Sequence, residues 1–237
     1  MDTLLSYETL VAVAVTTAFA GGAWLLRGVT SGGALAGFVV ALALLVTTGP
    51  GSFAVLIAVF AVAWLTTRLG YRRKQTLGTA ENARGRSASQ VLANLGGGAL
   101  FAVAAYTTEH RILLLAAMAA LAEAAADTAA SECGQALSDG AYLITSFRRV
   151  PAGINGGVSA PGTIAGVVAA AIVGAVAAAG HVVTWRVLPV VVGAGLLGTT
   201  IDSLLGATLE RRGILGNNGV NVASTLAAGM IALLIGR

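Results

Sequence analysis

The sequence predicts an all-α fold, a polytopic transmembrane helical bundle of about eight spans with both termini outside and two long cytoplasmic loops. Three observations carry that prediction. Of the 237 residues, 57% are hydrophobic and only 10% are charged, where a soluble domain carries about a quarter. The apolar residues gather into eight runs of spanning length. The cationic residues then fall almost entirely on one side of the bundle that those runs define. Because the charge deficit extends along the whole chain, residues 1–237 are read as a single membrane-embedded domain.

A spanning helix needs about 20 mostly apolar residues, since the hydrocarbon core is about 30 Å thick and each residue rises 1.5 Å. Runs at 9–26, 31–48, 52–69, 90–107, 111–130, 162–180, 186–205 and 219–236 qualify. The first contains Ala18-Phe19-Ala20, which looks like a signal-peptidase site. A signal peptide opens with a basic region, whereas the first ten residues carry Asp2 and Glu8 and no Lys or Arg. The run is therefore read as a permanent helix. Thr-Gly-Pro-Gly at 48–51 separates the second span from the third.

Eight spans make the connections alternate between sides. One side receives Arg27, Arg68, Arg72, Arg73, Lys74, Arg84, Arg86, Arg148, Arg149, Arg211 and Arg212; the other receives Arg111, Arg186 and Arg237. Positively charged loops stay cytoplasmic, which puts the long loops at 70–89 and 131–161 inside and both termini outside. Gly33-Ala-Leu-Ala-Gly37 and Gly162-Thr-Ile-Ala-Gly166 open spans running in the same direction. They fit either a duplication or close packing of small residues in lipid. Cys133 is the one cysteine and lies in an Ala-rich stretch, so it is read as a buried small residue.

Ionisable groups within a span are expensive and mark function. Glu123 and Asp127 lie four apart on one face of the fifth span, with Glu132 beyond them, and Asp202 sits at the cytoplasmic end of the seventh. Carboxylates on two facing helix ends suit Mg²⁺, which takes one or two of them and completes its shell with phosphate and water. The competing reading pairs these acids with nearby arginines.

Three polar segments lie at the same membrane face. Arg84-Gly-Arg86-Ser87-Ala-Ser-Gln90 leads through Val-Leu-Ala to Asn94, combining cations, hydroxyls and amides where the fourth span begins. A helix N-terminus favours anions, which makes this a candidate phosphate cradle. Arg148-Arg-Val-Pro-Ala-Gly-Ile-Asn155-Gly156-Gly157-Val-Ser159 offers backbone N–H groups that side chains do not obstruct. It is not a Walker A loop, because no Gly-Lys-Ser/Thr follows. Asn217-Asn-Gly-Val-Asn221 opens the last span, where amides either line the site or cap the helix. His110 and His181 both fall on the outer side, and no aromatic-interleaved basic strip points to nucleic acid.

Arg-Ser-Ala-Ser-Gln-Val-Leu-Ala-Asn, Ala-Asp-Thr-Ala-Ala-Ser-Glu, Val-Pro-Ala-Gly-Ile-Asn-Gly-Gly-Val-Ser and Ile-Asp-Ser-Leu-Leu-Gly-Ala-Thr-Leu occur in that order. Together they resemble the integral-membrane family containing vertebrate transmembrane protein 19 and the plant phytyl-phosphate kinase. Ala-Gly-Ile-Asn at 152–155 departs from the Gly-Thr-Asn-like wording expected there. The resemblance implies a phosphotransferase that converts a prenyl or phytyl monophosphate to a diphosphate, with CTP favoured among nucleoside triphosphates and Mg²⁺ as cofactor. The chain is read as an integral protein of a prokaryotic plasma membrane, with the site facing the cytoplasm by the charge pattern and homo-oligomer formation left open.

On that reading Asp127 and Asp202 hold Mg²⁺, with Glu132 as a third ligand. Lys74, Arg84, Arg86 and Arg148 neutralise phosphate charge, and Ser87 and Gln90 add hydrogen bonds. Asn155, Gly156, Gly157 and Ser159 shape the nucleotide pocket, with Asn94 and Asn221 beside it. Two rivals use the same residues: CTP-dependent nucleotidyl transfer to a lipid phosphate, and secondary transport. Transport sites lie near the bilayer midplane, whereas these residues gather at one face.

Overall fold

The computed structural model describes residues 7–236. Asp2, Arg237 and the two chain ends whose outward placement the charge pattern predicts lie outside the described residues. Eight helices are long and apolar enough to cross a membrane: α1 (Tyr7–Leu25), α2 (Ser31–Thr48), α3 (Pro50–Arg68), α5 (Ala88–Thr108), α6 (Ile112–Leu137), α7 (Ala160–Ala179), α8 (Leu188–Leu205) and α9 (Asn217–Ile235). They coincide with the eight expected runs. A short helix, α4 (Tyr71–Leu77), folds out of the first long loop.

Local chemistry sets the boundaries. Gly49 takes φ 82°, which reverses the chain between α2 and α3, and Pro50 then occupies the first turn of α3, where its missing N–H has no helical partner to lose. Ser87 and Gln90 form a reciprocal capping box at the start of α5. Ser159 caps α7 through the Gly162 N–H. At its C-terminal end α8 widens into a π turn over Gly206–Glu210, a departure from regular helix that often marks functional positions.

α6 is the central element. Leu115 to Ala126 is buried without interruption, as expected of a helix that is apolar all round apart from Glu123. It packs against α3, α5, α7, α8 and α9, and its alanines let those neighbours approach closely. Where Gly166 of α7 crosses it, an added Cβ would lie 3.2 Å from the Ala126 carbonyl.

The second long loop is not purely irregular. Ala141–Leu143 (β1) pairs antiparallel with Arg149–Val150 (β2) and Gly157–Val158 (β3), in sheet order β2-β1-β3. Gly153 and Gly156, at φ 89° and 78°, make the reversals between β2 and β3. Gly156 seats the hairpin on the π turn, where an added Cβ would fall 2.4 Å from Ala207 Cβ. The connections 26–30, 69–87, 138–159 and 211–216, the two long loops among them, thus share one end of the bundle, and 49, 109–111 and 180–187 share the other.

Candidate active site

Two cavities open at the loop-rich end, on either side of α6. The first, of about 360 Å³, lies between α6, α7, α8 and the glycine-rich hairpin. Asp127, Ser131, Asn155, Ser159, Thr199 and Asp202 are among its polar lining groups. The second, of about 440 Å³, lies between α1, α2, α3 and α5 and is lined mainly by apolar side chains, with arginines at its mouth.

Asp127 of α6 and Asp202 of α8 line the same polar cavity, so two acidic side chains from different helices meet there. Two carboxylates sharing one site disfavour each other's charge, which a shared proton or a cation relieves. Asp202 is held from α9, where Ser224 Oγ donates to its Oδ2 at 3.3 Å. With its amide turned to satisfy its neighbours, Asn221 also donates to Asp202 Oδ2 at 3.3 Å and accepts from Asn94 Nδ2 at 3.0 Å. The Asn94 amide also donates to the Gln90 carbonyl at 2.8 Å. A polar chain therefore runs from the start of α5 through α9 to Asp202.

Arg86 hydrogen-bonds to Thr128, the residue after Asp127, and lines the second cavity, so it lies in the wall between the two spaces. Its backbone is clamped in the α1–α2 connection: Arg86 N–H donates to the Gly28 carbonyl (3.0 Å), and its own carbonyl accepts from Thr30 N–H (2.9 Å). Its guanidinium donates to Thr128 Oγ1 at 3.3 and 3.4 Å and lies 3.9 Å from Glu81. Gly85 permits this close approach, since an added Cβ would meet the Gly28 backbone at 2.3 Å.

The group implied for this site is Mg²⁺, and the residues fit it. Asp127 and Asp202 supply two hard oxygen donors at the edge of a polar cavity. Behind them Glu123, 1% exposed, has an Oε1 without a hydrogen-bond partner. Among the described residues no three acidic, histidine or cysteine side chains form a closed metal cage.

Residues 14–229 match the family described as integral membrane protein DUF92. The chain belongs to this family. An uncharacterized membrane protein of Methanocaldococcus jannaschii is 34% identical over 182 residues, covering 76% of this chain and 74% of the relative. One from Synechocystis sp. is 31% identical over 189 residues, covering 76% and 72%. Protein VTE6, chloroplastic, of Arabidopsis thaliana is 26% identical over 226 residues, covering 91% and 67%. No solved structure matches the chain.

In this DUF92 protein several of the residues expected at the site come together: Asp127, Asn155, Gly156, Gly157, Ser159 and Asp202 line the polar cavity. Asn94, Arg86 and Gln90 line the apolar one near its mouth. Lys74 and Glu132 line neither, because each is the other's partner. Lys74, fully buried, donates to Glu132 Oε2 at 2.5 Å and to the Thr67 and Thr66 carbonyls at 2.7 and 3.1 Å. It neutralises an internal carboxylate and caps the open carbonyls of α3, so in this structure Lys74 and Glu132 are engaged with each other and not with either cavity.

Ser87 and Gln90 are likewise engaged in folding. Ser87 N–H donates to Gln90 Oε1 at 2.8 Å, while Gln90 Nε2 donates to Glu81 at 3.1 Å. The spacing Ser-x-x-Gln is itself a capping-box signature. Arg84 and Arg148 are exposed on their loops and line neither cavity. Glu210, on the π turn, lines the polar cavity and was missed. It sits next to Arg211-Arg212, a pair that reads as topogenic, and its position depends on the π turn, which has no sequence signature.

Proposed function

We propose that this DUF92 protein is a Mg²⁺-dependent lipid-phosphate kinase. In this reading it transfers the terminal phosphoryl group of a nucleoside triphosphate, CTP favoured, to a prenyl or phytyl monophosphate. One observation carries the reading: Asp127 and Asp202 line the polar cavity, and Arg86, held to the neighbouring Thr128, lines the apolar one. The ordered motifs shared with the family of the plant phytyl-phosphate kinase support the same assignment. So does the membrane setting, since a lipid-tailed acceptor needs an apolar space adjoining a polar one.

Phosphoryl transfer is mainly positioning and charge neutralisation. An oxygen of the acceptor monophosphate attacks the γ-phosphorus of the nucleotide. The bond from that phosphorus to the β–γ bridging oxygen breaks, and a nucleoside diphosphate leaves. The acceptor oxygen is already anionic, so no general base is required. Arg86 is placed to orient the acceptor phosphate and to balance Asp127. Asn155 and the backbone of Gly156 and Gly157 shape the nucleotide side. Asp127 and Asp202 would hold Mg²⁺, which supplies neutralisation of phosphate charge. The cavity-bearing end also carries the arginine-rich connections, so we read it as the cytoplasmic face, where nucleotide is found.

The test is incubation of purified protein with geranylgeranyl or phytyl monophosphate, Mg²⁺ and each of the four nucleoside triphosphates. Prenyl diphosphate with nucleoside diphosphate is the expected product pair. Pyrophosphate with a nucleotidylated lipid would replace the kinase by a nucleotidyltransferase.

A further inference from the structure

The second cavity has a shape and lining that the transfer chemistry alone does not explain. Its mouth, near Arg68 and Arg86, is polar; its walls are apolar; and its far end is made by Phe19 and Leu56. From Arg68 to Leu56 the lining follows α3 for about 18 Å at 1.5 Å per residue, more than half of a hydrocarbon core of about 30 Å. Phe19 is fixed there edge-on to Phe53 and Phe60, with ring centroids 5.4 and 5.6 Å apart, so the far end is a rigid aromatic stop. The volume, about 440 Å³, falls toward the small end of ligand pockets of about 300–1,000 Å³. It suits one chain better than two.

We propose that this cavity is the slot for the single aliphatic chain of a phosphorylated lipid, with its phosphate at Arg86 and its length limited by Phe19 and Leu56. The inference rests on the acceptor being a lipid monophosphate. Gly37 of α2 is the critical wall position. It lines the slot, and an added Cβ there would meet no atom within 4 Å. The space beside Gly37 is therefore the slot itself, and a larger side chain fills it without moving backbone. Gly33, one turn nearer the mouth, is different, because an added Cβ would fall 2.3 Å from the Arg86 carbonyl. Gly21 of α1 has open space as well but lines neither cavity, which makes it a matched control.

The experiment uses the whole protein in nanodiscs, without nucleotide, and geranylgeranyl monophosphate carrying a diazirine at the chain terminus. After irradiation, mass spectrometry should locate the label on α1 and α3 around Phe19 and Leu56. Gly37→Leu should lower that labelling about tenfold, the factor given by about 1.4 kcal/mol of exclusion. Gly21→Leu should leave it unchanged. Unlabelled phytyl monophosphate should compete, and dioleoyl phosphatidate should not. Equal competition by phosphatidate would make the slot a phospholipid site and overturn the single-chain assignment. Labelling spread over the outer helix faces and insensitive to Gly37→Leu would overturn the slot altogether. Turnover is not needed for any of these readouts, so slot labelling in a protein without kinase activity would retire the kinase reading and leave the slot standing.

Discussion

Lys74 and Glu132 form an ion pair inside the bundle, at 2.5 Å, with the lysine side chain 0% exposed and the glutamate side chain 11%. Thr67 Oγ1 donates to the other glutamate oxygen at 3.2 Å, so α3, α4 and α6 meet at one satisfied polar point. Removing one partner strands a buried charge, which costs about 3–5 kcal/mol. Lys74→Met should therefore lower the thermal stability of the detergent-solubilised protein strongly. Lys74→Met combined with Glu132→Leu should recover much of the loss, as measured by unfolding temperature. A stable single variant with reduced phosphate affinity would instead return Lys74 to the substrate.

Asp127 and Asp202 are expected to behave in the opposite way. Asp127→Asn and Asp202→Asn keep the side-chain size and the hydrogen-bonding capacity while removing charge. Each should lower turnover by about a hundredfold or more, about 2.7 kcal/mol of transition-state stabilisation, with little change in unfolding temperature. Turnover at the wild-type rate in either variant would remove that residue from the reaction.

Arg86 and Arg84 separate a positioned cation from a topogenic one. Arg86→Ala should raise the KM for the lipid phosphate about tenfold or more. Arg86→Lys should restore that only in part, since an ammonium lacks the planar fork. Arg84→Ala, on the exposed loop surface, should leave both kcat and KM close to wild type. Steady-state kinetics with the acceptor varied distinguishes the two.

Gly156 holds the hairpin to the π turn. At φ 78°, and with Ala207 in the way of a side chain, Gly156→Ala should lift the hairpin off Gly206 and Ala207, with a strain of about 1 kcal/mol or more. Nucleotide affinity should fall while the unfolding temperature of the bundle changes little, because the hairpin is outside its apolar core. Isothermal titration with a non-hydrolysable nucleotide reads the first quantity and a melting curve the second.

The spans were legible because each is a long apolar run and because the arginines of the connections sort by side. Asp127 and Asp202 were legible because an acid in an apolar helix needs a reason to be there. The small sheet was not, since strands of two or three residues carry no readable alternation. The Lys74–Glu132 pair was hidden by a separation of 58 residues, which left each free to be given a separate ligand. Ser87 and Gln90 carry a Ser-x-x-Gln signature that serves a capping box here, and the same polar residues at a helix N-terminus also suit an anion, so spacing alone does not separate the two roles. The apolar slot was illegible for another reason: its walls are ordinary small and aromatic residues contributed by separate helices, and only their arrangement makes a cavity.

If the Asp127–Asp202 site is a lipid-phosphate kinase, a γ-phosphoryl group passes there onto a lipid phosphate. The most direct test of this is label transfer from CTP to geranylgeranyl monophosphate by the nanodisc-embedded protein, with ³²P at the γ position in one reaction and at the α position in another. Label should reach the lipid from γ-labelled CTP only, and Asp202→Asn should abolish the transfer. Label reaching the lipid from the α position, or transfer undiminished in Asp202→Asn, would contradict the kinase reading.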